Sequence, residues 1–457
     1  MTAADVSNES DRDLDLQRLV GTFAGLVRQY PDLDFLDPGG MLVIKDPVPA
    51  VSQVRIELPG STALRLRSVL LEADGLDDPA AQVTATASSA ASKEAAARLR
   101  KGGLLLADQT GVGVQTRRED RPWLELALDR PRDLRRITVI NVADQTALDA
   151  RGIRVLVRTA DGWWTTLYDG AARERTFAQH VERHFGGRLL TRRLEDAVRR
   201  RLNRPAPTRP QPVAADLVRI MTAIQLRDHG PVFKDIDRVP LDKERMSEFR
   251  RLVSEQLVAR RQQEWTIHGI KRSFRFWTEQ EKKDYLGFAV DVVNCLNQLN
   301  SCVCFGFGSV FSIVRDHELL PHDDDLDVLI GFDPEQASTL AEGLALIKKC
   351  LQDKGFVVTG NFTSYHWVYP PGGGGSKLDA FVGLFEGDTI SWYPGKRGAL
   401  TREMMFPPSH RELLGFDCAV PRQPERYLEQ VYGPGWAKPD PHFRHRWKRS
   451  EYADIAK

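Results

Sequence analysis

Two aspartates one residue apart, Asp325 and Asp327, head the apolar run Val328-Leu329-Ile330. In an extended chain alternate side chains share a face, so both carboxylates project to one side while Leu326 and Val328 point into a core. Carboxylates held this close repel one another unless a cation lies between them; the pattern therefore either raises a pKa or binds a metal. Hard oxygen ligands suit Mg2+ or Mn2+, which keep part of their water shell and take the rest from substrate phosphates. A bare Asp-x-Asp pattern also describes an exposed acidic turn, but the apolar residues behind this one argue for a rigid, buried strand. A third carboxylate comes from Lys377-Leu378-Asp379-Ala380-Phe381-Val382, another alternating apolar segment. Asp325, Asp327 and Asp379 together form a candidate catalytic and metal-binding cluster. Such a cluster polarises a phosphoryl oxygen and helps deprotonate an acceptor hydroxyl.

Upstream, Val303 to Phe307 reads as a short strand, and Gly308-Ser309 opens the apolar helical run Val310 to Arg315. A strand that ends in a small pair at a helix N-terminus exposes backbone N–H groups to an anion, with no Cβ at Gly308 to block approach. Gly308 and Ser309 are thus candidate phosphate contacts. Asp323 and Asp324, which lead into the metal pair, and the cations Arg315, Lys396 and Arg397 complete the candidate substrate-binding set. Arg offers a bidentate fork to a diphosphate and Lys a point charge. Lys396, Arg397 and the nearby Arg402 read equally well as solvated loop charges. His366, His442 and His445 lack the paired spacing of a metal motif and read as structural.

The elements that must position these residues fall into a multidomain α+β chain. At 457 residues it is too long for one ordinary core. A net charge of +1 gives no reason to expect a nucleic-acid partner. The N-terminus lacks an apolar leader and no run is long enough to span a membrane, so a cytoplasmic protein with at most peripheral membrane contact is expected. Five cysteines without a CxxC pair fit free thiols in a reducing compartment.

The apolar spacing predicts a helical segment over 1–45, with Leu16, Leu19, Val20, Phe23 and Val27 facing the domain that follows. Over 46–173 the period changes to two. Val54 to Leu58, Trp123 to Leu128, Ile137 to Val142 and Ile153 to Val157 read as separate strands of an all-β sandwich, with a turn at Asp129-Arg130-Pro131. Of the adjacent Trp163 and Trp164, alternation predicts one in the core and one outward, where it would stack on a sugar or cover an interface. The region 174–283 reads as helical. It includes the basic stretch Arg188 to Arg209, which suits either a solvated face or docking to an anionic surface, and the stiff Pro205 to Pro212 linker. Lys283 to Leu299 reads as the first helix of an α/β domain spanning 284–457.

Gly308 to Arg315, followed by Leu320-Pro321-His322-Asp323-Asp324-Asp325-Leu326-Asp327-Val328, resembles the signature of the LicD and fukutin-related family of nucleotidyltransferase-fold phosphotransferases. Fifteen residues separate Ser309 from Asp325, as in that family. The segment Trp392 to Arg402 and the tail Tyr432 to Pro439 are similar too. The chain departs from the pattern with His322 in place of Trp, and with Asp316-His317-Glu318 in place of a glycine-containing turn. The resemblance implies transfer of a phospho-substituted group from a CDP-activated donor to a glycan or glycolipid hydroxyl with Mg2+ or Mn2+. A nucleotidyltransferase using the same residues, and a non-catalytic carbohydrate-binding scaffold, remain as alternatives. The strand order over Leu106 to Trp164 resembles a discoidin-like, galactose-binding-like jelly roll, which implies either a carbohydrate ligand or a docking scaffold.

Overall fold

The computed structural model describes residues 14–100, 103–105, 112–185, 213–228, 236–360, 362–373, 375–392, 395–439 and 449–457. The chain divides into two compact units, Met1–Asp242 with Glu255–Arg261, and Lys243–Ser254 with Gln262–Lys457. The first is β-rich with flanking helices, and the second is mixed α/β. The basic and proline-rich stretch from Arg188 to Pro212 lies outside the described residues, as do His442 and His445.

In the first unit, helix α1 (Leu16–Val27) starts where the Asp15 side chain accepts from the Arg18 N–H, and it buries Leu19, Val20 and Phe23 completely. The partners of α1 within this unit are helices. Phe23 meets Phe177 edge-on at 6.2 Å, and α1 packs against two helices that follow the strands in sequence, Gly170–Phe185 (α2) and Val213–Gln225 (α3).

The strands of this unit are β1 (Met41–Ile44), β2 (Val48–Glu57), β3 (Ser68–Ala73), β4 (Val83–Ala87), β5 (Trp123–Ile140), β6 (Arg154–Thr159) and β7 (Trp164–Asp169), in one antiparallel sheet. The central strand, β5, runs through the segment where a turn was expected. Its first half pairs with β2 and β4, its second half with β1 and β3. Pro131 has no N–H to donate, but it falls where the β2 register shifts, so no regular ladder bond is lost there. Arg132 explains why the chain continues: its buried guanidinium is clasped by Asp129 at 2.9 Å and by the Gly75 carbonyl. The tryptophan expectation is also corrected. Trp163 precedes β7 and is 76% exposed, while Trp164 is half-buried within 6.0 Å of the Arg55 guanidinium, so neither lies in the core.

The second unit opens with helix α4 (Lys243–Val253) and a short hairpin, β8 (Glu264–Thr266) and β9 (Gly269–Lys271). Helix α5 spans Glu279–Leu296 and starts earlier than its apolar spacing suggests, because Thr278 and Glu281 form a reciprocal capping box. A mixed sheet then runs in the order β10 (Val303–Phe305), β11 (Asp327–Phe332), β14 (Leu378–Glu386), β13 (Tyr365–Tyr369), β12 (Val357–Thr359), with β15 (Thr389–Trp392) along the far half of β14. Its inner pair, β11 and β14, is parallel and flanked on both sides. Val328, Leu329, Ile330, Ala380 and Val382 are therefore fully buried.

Helix α7 (Leu340–Asp353) covers the sheet after the short α6 (Phe307–Phe311) and β11. A Cβ on Gly343 would stand 2.4 Å from the Val382 side chain, so only glycine lets the helix approach this closely. Downstream come a hairpin, β17 (Ser409–Leu413) and β18 (Phe416–Val420), preceded by the two-residue β16 (Leu400–Thr401), and then helix α8 (Pro424–Tyr432). All five cysteines are free thiols. No helix among the described residues is long and apolar enough to cross a membrane.

Candidate active site

The carboxylates come together because of strand register. Asp327 is the first residue of β11 and stands in register with Asp379 on the parallel strand β14. In-register neighbours project to the same side of a sheet, about 4.8 Å apart. Asp325 sits two residues before Asp327 and is 5% exposed. The approach to β11 is tied down at every step. Gly306 N–H donates to the Asp327 carbonyl at 3.0 Å, Asp379 N–H to the Leu326 carbonyl at 3.0 Å, and Asp327 N–H to the Ser309 hydroxyl at 2.7 Å.

Burial and mutual repulsion dominate the electrostatics. Burial, with the charges of Asp325 and Asp379 beside it, holds the Asp327 carboxyl well above the usual carboxylate range. Burial and Asp325 push Asp379 up to about 6, and the same two causes push Asp323 up to about 7. The cluster thus concentrates more negative charge than its surroundings comfortably stabilise.

Two cations of the protein itself answer part of that charge. The Lys377 ammonium donates to Asp325 Oδ2 at 2.5 Å and to Asp379 Oδ1 at 2.6 Å, and lies 5.6 Å from the centre of the Trp367 ring. Burial opposes its charge, but the two aspartates overcome that and raise its pKa. From the β8–β9 hairpin, His268 places Nδ1 3.1 Å from Asp324 Oδ1 and 3.7 Å from Asp325 Oδ1. Burial lowers its pKa, but the bond to Asp324 and the charge of Asp325 outweigh burial and bring it up to about 9. The Thr266 hydroxyl lies 2.9 Å from the same Asp324 oxygen. Burial also works on Asp324, yet His268 holds it below its ordinary value.

Tyr285 on α5 links the two halves of the site. Its buried hydroxyl accepts from the Leu326 N–H at 3.0 Å and donates to the Lys377 carbonyl at 2.6 Å, bracing the segments that carry Asp325 and Lys377. Neither Lys377, His268 nor Tyr285 figured among the candidates read from sequence. Lys377 had a signal, since it stands two residues before Asp379, on the same face of an extended segment. His268 had none, because a hairpin far upstream in sequence delivers it.

The remaining sequence candidates are distributed unequally. Gly308 and Ser309 lie inside the first turn of α6, whose cap is Gly306, and not ahead of it. The chain turns at Phe307, a non-glycine residue at φ 43°, whose N–H donates to the buried Tyr427 hydroxyl at 2.8 Å. Ser309 is fully buried and spends its oxygen on Asp327, while a Cβ at Gly308 would come within 3.0 Å of Asp323 Oδ2.

Arg315 is engaged by other groups. It pairs with Asp316 at 2.8 Å, donates to the Trp436 carbonyl at 3.1 Å and lies over Phe311. Arg397 is bound by Glu386 and by Asp454, the latter at 2.6 Å, and Arg402 pairs with Asp333; Lys396 is exposed. His366 is buried, with Nε2 3.1 Å from the Leu344 carbonyl. His317 adopts the left-handed conformation, at φ 54°, that a glycine would ordinarily take in that turn. His322 pairs with Glu264 at 2.9 Å.

The donor set fits a hard divalent cation. Buried carboxylates whose protonation is favoured only by repulsion and desolvation are the groups an added positive charge stabilises most. Among the described residues, His268, Asp324 and Asp325 are three whose ligating atoms all lie within 4.8 Å of one another. Of the three aspartates expected to hold a metal, Asp325 belongs to that group, and Asp327 and Asp379 do not.

Residues 301–423 match the family model described as LicD/FKTN/FKRP, nucleotidyltransferase domain. No curated protein matches the chain. The matched stretch contains Asp325, Asp327, Lys377 and Asp379, and gives the second unit a domain of a transferase-type family.

Proposed function

We propose that this site transfers a phospho-substituted group, such as an alditol phosphate or phosphocholine, from a CDP-activated donor to a hydroxyl of a glycan or glycolipid. Asp325, Asp327 and Asp379 would hold Mg2+ or Mn2+. The observation that carries the reading is the in-register pairing of Asp327 with Asp379 beside the buried Asp325. When bound, a divalent cation supplies the positive charge that both the carboxylates and a donor diphosphate lack.

The protein's own groups do the rest. Asp379 is the carboxylate we assign to take the acceptor hydroxyl proton as that oxygen attacks phosphorus. The new bond joins the acceptor oxygen to phosphorus, the bond to CMP breaks in line, and CMP leaves with the electron pair. Tyr285 and Ser309 hold the backbone of Leu326 and Asp327, so the carboxylates are positioned before substrate arrives. Exposed Lys396 is the loop cation we assign to the donor phosphates, because Arg315 and Arg397 already have carboxylate partners.

The β-rich unit is read as a discoidin-like sandwich, with the exposed Trp163 offering a ring to a sugar or to a docking surface. Free thiols support a reducing, cytoplasmic setting for the reaction, with the acceptor reached at the inner face of a membrane. Incubation with a panel of CDP-linked donors, followed by mass spectrometry of the products, tests the assignment. CMP release together with a phospho-linked product is expected. The description of the matched family model favours one second reading, transfer of a nucleoside monophosphate. With a nucleoside triphosphate as donor, pyrophosphate release and a nucleotidylated product would establish that one instead.

A further inference from the structure

The Lys377 ammonium occupies the space between two carboxylates assigned to a metal, and its surroundings constrain what part of it moves. Its carbonyl is held by the Tyr285 hydroxyl at 2.6 Å, and strand β14 begins at the next residue. The backbone is therefore fixed, and only the four-carbon side chain is free to turn. That side chain is 21% exposed and runs past the Trp367 ring, so its charged end has a route outward along an aromatic face. A divalent ion held by Asp325 and Asp379 would compete for carboxylates whose Oδ2 and Oδ1, respectively, now accept from Lys377. A dication and an ammonium on the same pair of carboxylates repel each other strongly.

We infer that Lys377 is an intramolecular cation that holds Asp325 and Asp379 until a divalent ion displaces it, and that its freed ammonium then pairs with a phosphate of the donor. The inference rests on the cation-dependent reaction proposed above. It makes metal loading and donor binding sequential. The carboxylates are never left uncompensated in a buried site, and a phosphate-binding charge is released only once the metal is in place. Lys suits this use better than Arg, because a point charge on a flexible stem can exchange partners without losing a bidentate geometry.

The test uses the full-length chain. Mn2+ titrations followed by electron paramagnetic resonance compare wild type with Lys377→Met, which keeps most of the length of the side chain and removes its charge. If Lys377 occupies the carboxylates most of the time, its removal tightens Mn2+ binding about tenfold. In saturating Mn2+, CDP should bind the variant more weakly than wild type. In the wild-type protein, reductive methylation read by peptide mass spectrometry should modify Lys377 several-fold faster with Mg2+ than with a chelator. Equal Mn2+ affinity in the two proteins overturns the inference and leaves the cation-dependent reading standing. Absence of Mn2+ binding in both overturns both. Should the variant fail to fold, the wild-type labelling decides: acceleration by Mg2+ supports displacement, and an unchanged rate refutes it.

Discussion

Asp327 and Asp379 are directly paired across the parallel strands β11 and β14, so a half-buried carboxylate stands beside a buried one, and the charge of Asp379 helps hold Asp327 above its ordinary range. Such a pair is retained at a cost to stability. Changing either to asparagine keeps the shape and removes the repulsion. Asp327→Asn is expected to raise the melting temperature in chelator. It should also lower turnover on the order of 10³-fold, since a metal ligand contributes several kcal/mol of charge stabilisation. Calorimetry and a product assay on the same preparation check both halves. A variant that is less stable and fully active would contradict the assignment.

The same repulsion fixes a pH dependence. Asp379 is raised from an ordinary 3.8 to about 6 and Asp323 from 3.8 to about 7. The folded state therefore binds more protons than the unfolded state between about pH 4 and 7, and the stability these groups contribute is lost as pH rises through their folded values. His268, raised from 6.5 to about 9, acts in the same direction: its contribution is complete below 6.5 and is lost as pH rises through 9. Without divalent cations the melting temperature should fall by on the order of 5 °C between pH 5.5 and pH 8. Saturating Mg2+ should flatten that slope, because the metal takes the place of the protons. A slope unchanged by Mg2+ would count against these carboxylates as ligands.

His268 reaches the acidic cluster from a hairpin that lies outside the stretch matching the family model. Its imidazolium holds Asp324, which adjoins Asp325. Outer partners of metal-bound carboxylates typically affect activity by about 10–100-fold, and His268→Gln should fall in that range. The Mn2+ dissociation constant should weaken with it. A loss of turnover with unchanged Mn2+ affinity would instead give His268 a part in the reaction itself.

How much of this was legible in the sequence depends on how local the cause is. Asp325 and Asp327 drew notice because period-two geometry is set by neighbouring residues, and Asp379 because its apolar alternation repeats that logic; in the folded chain the strand begins only at Asp327, with Asp325 ahead of it. Their register, Asp327 opposite Asp379, was not readable, since α7 and two further strands intervene between the paired segments. Arg315 and Arg397 looked like phosphate ligands by residue type alone; Asp316, Glu386 and Asp454 bind them in the folded chain. The turn expected at Asp129-Arg130-Pro131 illustrates the opposite failure. Local turn chemistry was overridden by the Arg132 guanidinium finding Asp129 and the distant Gly75 carbonyl. The start of α5 was available all along, in the Thr278-x-x-Glu281 spacing of a capping box.

Tyr285 offers the cleanest separation of positioning from chemistry, because it touches no carboxylate in the cluster through its hydroxyl. Its oxygen bridges the Leu326 N–H and the Lys377 carbonyl, both in buried or half-buried surroundings. Tyr285→Phe keeps the ring packed against Phe274 and Trp277, whose centroids lie 5.7 and 5.2 Å away, so no cavity opens. What is lost is a partner for two backbone groups, worth about 1–3 kcal/mol of stability. With Leu326 and Lys377 less firmly held, Asp325 and the lysine charge drift from their shared geometry. Turnover should then fall about tenfold or more even where the fold persists, since small displacements of reacting groups carry large rate costs. The diagnostic is a comparison with Ser309→Ala, which frees the Asp327 N–H by the same kind of loss. Both variants should lower turnover while leaving the pH profile of activity and the Mn2+ affinity in place, whereas Asp379→Asn should weaken Mn2+ binding as well. A shifted pH profile in Tyr285→Phe would show that its hydroxyl does more than hold the backbone.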